Sequence, residues 1–321
     1  MKSLFKNQTL RDSLHKVGCQ MMIVAGFLGT SISASGSILP DNDLHLQDGM
    51  FLFSNMDEEL FNEIVDKVGE YYAPIVASHG GELRMEKLWS NSLVNASASR
   101  DGNTWFVNMY GGLARRPEVT ADAFLLVVCH EMGHHLGGVP LKSGRWAASE
   151  GQSDYFAAQV CAKEFWKDEV EVNALYRNDV DPVVALKCDA SYSDLAGQDL
   201  CYRVAYAGLS LGNLFASLRL RGAEVSFDAA DPTEVTTTST SHPNAQCRLD
   251  TYTAGAACSK AFNQWIIPGV DENGELKSLD EGLSEALENS CSQRDVELSH
   301  AARPKCWFKH PGDFLLAAEP F

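Results

Sequence analysis

The sequence predicts an α+β fold, in which one helix and a small antiparallel sheet lead into a mostly helical remainder. Three observations carry this reading. Apolar residues recur at helical spacing over 57–78. Three short candidate strands follow at 82–89, 92–99 and 104–110, the last two flanking the turn signal RDGN. Beyond residue 119 the segments 121–137, 147–166 and 201–221 all have helical character.

The elements follow in chain order. Lys2, Lys6, Arg11 and Lys16 precede the mostly apolar stretch VGCQMMIVAGFLGTSISA, which ends in small residues at Ala34-Ser35-Gly36. Residues 1–36 therefore read as a secretory signal peptide, because the apolar run is short and broken for a spanning helix. The next helix places Leu60, Phe61, Ile64, Val65 and Val68 on one side, with Asp57 as its cap and His79-Gly80-Gly81 as its stop. Arg116-Pro117-Glu118 breaks the chain after the third strand. Thr120 then caps ADAFLLVVCHEMGHHLG, which stops at Gly137-Gly138. Residues 228–241 form a polar loop. His242-Pro243 precedes a short helix, with Pro243 suited to its first turn. The tail from about 262 is loop-rich, with a helical piece near 278–290. We expect one domain over 37–260 and a C-terminal extension over 261–321 packed on it.

The chain of 321 residues is 45% hydrophobic and 21% charged, which is ordinary for a globular protein. Its net charge is −17, and without residues 1–36 it holds 22 basic against 42 acidic residues. Such a surface repels nucleic acid and anionic lipid, so neither is expected as a partner. Past the leader no segment reaches spanning length, so no stable membrane span is expected in the mature chain. Eight of the nine cysteines lie beyond residue 36, an even set that suits disulfides in an exported, periplasmic or secreted protein. Cys188 with Cys201, Cys247 with Cys258, and Cys291 with Cys306 are attractive because they are local. No C-x-x-C pair is present to suggest a cysteine metal site.

The chemistry concentrates in HEMGHHLGG, residues 130–138. Positions four apart lie one turn apart on a helix, so His130 and His134 can put two imidazole nitrogens on one zinc. Glu131, turned slightly around the helix, is placed to take a proton from water as general base. The run FLLVV before the motif makes this a buried helix, where unpaired polar groups are costly. A metzincin continuation is absent, since no histidine follows at its spacing. His135 points about 100° away from His134 and is expected as an outer or surface residue. A third ligand comes from ASEGQSDYFA: Glu150 opens the next helix, and Asp154 lies on the same face to orient a ligand histidine. His242, in SHPNAQCRL, reads from spacing alone as a loop histidine.

Together HEMGHH, EGQSD and HPNAQCRL resemble the gluzincin metallopeptidases, within them the family of the CAAX prenyl proteases, the HtpX heat-shock protease and the Oma-type proteases. The motif-bearing part spans 104–258, about half of the chain. The resemblance implies a zincin-like fold and one Zn2+ held by His130, His134 and Glu150. It implies Glu131 as base and Asp154 as the residue that orients a ligand histidine. His242 or Arg248 would assist the transition state or gate access. It further implies that TWFVNMYGG is the edge strand that binds substrate backbone, with Phe106, Val107, Asn108, Met109, Tyr110 and Gly111 as contacts. The expected activity is zinc-dependent endopeptidase cleavage of extended or unfolded polypeptides. The alternative is a periplasmic chaperone or assembly factor with an occluded zinc site, His242 filling the open position. Many relatives are membrane-embedded and lack these cysteines, so prenyl-substrate knowledge does not carry over.

Overall fold

The computed structural model describes residues 36–47, 56–142, 146–218 and 224–310. All of the expected signal peptide except Gly36 lies outside the described residues. The architecture is α+β, and its elements run in the expected order. The first helix, α1 (Glu58–Ser78), starts where the Asp57 carboxylate accepts from Leu60 N at 2.9 Å. It buries Phe61, Ile64, Val65, Val68 and Tyr72 against the sheet and the helix over Ala121–Leu136. It ends at His79, and Gly80 (φ 74°) turns the chain into β2 (Glu82–Leu88).

β3 (Ala96–Asp101) and β4 (Thr104–Tyr110) form the expected hairpin, with Gly102 at φ 57° in a two-residue loop. β3 starts later than the expected residue 92, because the Asn91 side chain accepts from Leu93 N and turns the chain there. A two-residue strand, β1 (Gly36–Ser37), pairs with β3, and the sheet order is β1-β3-β4-β2. Two corrections follow. The sheet is mixed rather than antiparallel, because β2 runs parallel to β4. And β4 is an internal strand, hydrogen-bonded to β2 on one side and β3 on the other.

A single turn, α2 (Gly111–Ala114), leads to α3 (Ala121–Leu136), capped by Thr120, whose hydroxyl accepts from Ala123 N at 3.1 Å. Every residue of α3 from Ala123 onward is buried, so the motif helix runs through the core. The expected helix at 147–166 begins at Ser149, which caps α4 (Glu150–Phe156). A π-helical stretch, Ala157–Cys161, interrupts it before α5 (Ala162–Trp166). Two further helices, α6 (Val170–Leu175) and α7 (Pro182–Ser191), precede the long α8 (Leu195–Leu218). Next comes α9 (Ala245–Ala257), whose cap is Asn244, so Pro243 precedes the helix instead of opening it. The last helix is α10 (Leu279–Asn289).

Residues 261–310 join the same core, with Ile267, Cys291 and Ala301 buried in it. Four disulfides link Cys129–Cys161, Cys188–Cys201, Cys247–Cys306 and Cys258–Cys291. Only the pair 188–201 matches the local expectation. Cys247 and Cys258 flank one helix, about 16 Å apart at 1.5 Å per residue, so they cannot meet. Each instead ties an end of α9 to the tail. Four disulfides fit an oxidising compartment. Among the described residues, no helix is long and apolar enough to cross a membrane.

Candidate metal centre

α3 and α4 meet at Gly133, where an added Cβ would lie 2.9 Å from both Cα and O of Ser153. This close approach aims the C-terminal half of α3 at the first turn of α4. His130 Nε2 lies 3.3 Å from Glu150 Oε2, and His134 Nε2 lies 3.6 Å from the same oxygen. Tetrahedral zinc with bonds near 2.0–2.1 Å spaces its ligand atoms about 3.3 Å apart. None of the three atoms has a hydrogen-bond partner, although all are buried. Three buried polar atoms that face one point without partners are costly unless a cation lies between them. His130, His134 and Glu150 could thus hold a metal ion.

The far side of each ligand is fixed. His130 Nδ1 donates to Asp154 Oδ1 at 2.7 Å. His134 Nδ1 donates to Ala148 O at 2.8 Å and lies 2.9 Å from Ser153 Oγ. Protons on both Nδ1 atoms leave both Nε2 lone pairs free for a metal. Glu150 Oε1 accepts from Lys142 Nζ at 2.7 Å, which leaves Oε2 for the centre. Burial opposes charge on Glu150, but His134 and His130 outweigh it and hold the carboxyl well below its usual range.

Asp154 is the hub behind the site. It is fully buried and accepts from Arg248 Nε at 2.8 Å, from Arg248 Nη2 at 2.7 Å and from Tyr252 Oη. Burial works against its charge, and Arg248 above all reverses this, so Asp154 stays ionised below the usual range. Glu131 is also fully buried, and neither of its oxygens has a hydrogen-bond partner. Burial raises its pKa, which suits a group that must take up a proton.

The remaining expectations divide. His242 is part of the centre, not a bystander: its Nε2 lies 3.5 Å from Glu150 Oε2 and donates to Ser37 O at 2.8 Å. Arg248 sits behind the ligands, bound to Asp154. His135 is neither ligand nor surface residue. It is fully buried, stacked between Trp105 and Trp146 at 5.2 and 4.8 Å, and its Nε2 donates to Phe106 O.

The expected substrate strand is corrected. Phe106, Val107, Asn108, Met109 and Tyr110 lie in β4, which has no free edge. Gly111 faces Trp89, whose carbonyl leaves no room for a side chain there. The strand beside the site is β3, and its outer edge carries Gly36-Ser37. Sequence reasoning missed Ser153, Lys142, Tyr252 and Asn95. Tyr252 alone left a signal, four residues after Arg248 on one helix face. Comparison with protein-family models, with curated proteins and with solved structures gives no match for the chain.

Proposed function

We propose that this protein is a zinc-dependent metalloendopeptidase of gluzincin type, acting on extended polypeptides in an oxidising, extracytoplasmic compartment. One observation carries the reading: three unpartnered ligand atoms converge beside an unpartnered buried glutamate. Two imidazoles and a carboxylate suit zinc, and the sequence order of the donors agrees with the resemblance. A zinc ion held by His130, His134 and Glu150 supplies Lewis acidity and makes water a better nucleophile at neutral pH.

The chain's own groups do the rest. Glu131 takes a proton from the attacking water and delivers it to the leaving amide nitrogen. His242 donates from Nε2 to the substrate carbonyl oxygen and stabilises the charge that grows there. Asp154 keeps the His130 ring in the tautomer that frees Nε2, and Arg248 with Tyr252 keeps Asp154 in place. The test is reconstitution. Chelated protein should neither hold zinc nor cut casein, and one equivalent of Zn2+ should restore both. Full cleavage of casein after exhaustive chelation would refute the proposal.

A second reading, an occluded site in a chaperone, draws on the 3.5 Å spacing of His242 and Glu150, which suits a fourth ligand. The proton that His242 Nε2 gives to Ser37 O argues against it. A nitrogen that donates has no lone pair left for a metal.

A further inference from the structure

The backbone that passes the centre belongs to the chain itself. β1 pairs antiparallel to β3, with Gly36 opposite Ala98 and Ser37 opposite Ser97. Ser37 O accepts the hydrogen bond from His242 Nε2. Ile38 N donates to Ala96 O at 3.3 Å. Ile38 O accepts from Arg248 Nη1 at 2.5 Å, and the Ile38 side chain is fully buried. Asn95 clamps the next residue, accepting from Leu39 N at 3.1 Å and donating to Leu39 O at 3.3 Å. Gly36 lies flat on the His134 ring, where a Cβ would come within 2.2 Å. One peptide bond thus has its carbonyl on His242, which itself lies 3.5 Å from Glu150 Oε2, and its flanking residues fixed in extended form. That is how an extended substrate would be seated across the centre.

We propose that the Ser37–Ile38 bond is a substrate of this site and that the protein cuts its own chain there. The inference rests on the peptidase reading above. Water adds its oxygen to the Ser37 carbonyl carbon, and the C–N bond to Ile38 breaks. Glu131 takes the proton from water and passes it to the Ile38 nitrogen. The products are a carboxylate on Ser37 and an ammonium on Ile38, whose nitrogen ends with both protons of the water. Residues up to Ser37 leave, while Ile38 onward stays held by Arg248, Asn95 and the His45–Leu93 bridge. The same geometry gives the preference in trans: a branched apolar residue directly after the scissile bond.

The test uses the full chain with residues 1–36 still attached, refolded zinc-free with its four disulfides formed. After Zn2+ is added, intact-mass analysis should show wild type beginning at Ile38, with Glu131→Gln uncut. Gly36→Val should also stay uncut, since its side chain collides with His134, yet still cleave casein. Wild type that cuts casein while its own Ser37–Ile38 bond survives overturns self-cleavage and spares the peptidase. Wild type that cuts neither overturns both. A second measurement needs no turnover. In zinc-free Glu131→Gln, the Ile38 and Leu39 amides should exchange with solvent at least tenfold more slowly than in the same chain carrying Gly36→Val. Equal exchange means the segment is not seated, and the inference fails.

Discussion

Replacing Asp154 with Asn changes one atom in the buried hub and should be felt at the metal. The carboxylate accepts from His130, from two nitrogens of Arg248 and from Tyr252, and it is fully buried. An amide keeps one acceptor oxygen but, even in its better orientation, places an NH2 against the Arg248 Nε donor. The charge that balances Arg248 is also lost, and among the described residues no other carboxylate is bonded to that guanidinium. Breaking a buried ion pair on one side costs about 3–5 kcal/mol. Much of this should appear as lower stability of the metal-free protein. At the metal, loss of a group that orients a ligand histidine lowers affinity about 10–100-fold. That is about 1.4–2.8 kcal/mol of zinc binding. The assay is zinc competition against a chelator of known affinity, paired with denaturant unfolding of the chelated protein. Asp154→Asn that binds zinc within twofold of wild type, with unchanged unfolding, would refute the role given to Asp154.

Other expectations follow from the same geometry. Gly133→Ala presses a methyl into the Ser153 backbone, and overpacking of this kind costs about 1–3 kcal/mol, so both the unfolding midpoint and the zinc content should fall. A non-reducing peptide map should recover Cys247–Cys306 and Cys258–Cys291 as nested pairs; fragments that join Cys247 to Cys258 would contradict the fold around α9. Removing Cys129–Cys161, which ties the motif helix to the π-helical stretch, should lower stability by about 2–4 kcal/mol in chemical denaturation. Lys163 is half-buried, donating to Tyr192 Oη, Gly255 O and Cys258 O, and desolvation brings its pKa down to about 7. The unfolded chain keeps the proton up to about pH 10.4, so between these values it binds more protons than the folded one and stability rises with pH. Denaturation at pH 6.5, 8 and 9.5 should show that rise in wild type and not in Lys163→Met.

The sequence carries the ligand set because its geometry is local. His130 with His134, and Glu150 with Asp154, are each four apart on one helix, and a single close approach at Gly133 joins the two helices. The α1, α3 and α10 segments were legible for the same reason, through caps and periodic apolar positions. The sheet was not. Whether β4 lies at an edge depends on where β2 lands, and that parallel pairing joins strands separated by the whole β3 hairpin. The disulfides show the same limit. Nearness in sequence favoured Cys247 with Cys258, whereas a rigid helix between them forces each to a distant partner. β1 had no signal at all, because two residues at the end of an expected leader carry no periodicity. What holds them is pairing with β3 and the His242 bond to Ser37 O, while Arg248 and Asn95 fix Ile38 and Leu39 beyond them.

The central claim is that Glu131 works as the base beside a metal it does not bind. The direct measurement is the casein cleavage rate of wild type and Glu131→Gln, each at one zinc per chain by elemental analysis. Zinc content should be equal and the rate lower by about 10²–10⁴-fold in the variant, the range expected when a general base is lost. A variant as active as wild type at equal zinc content would contradict it.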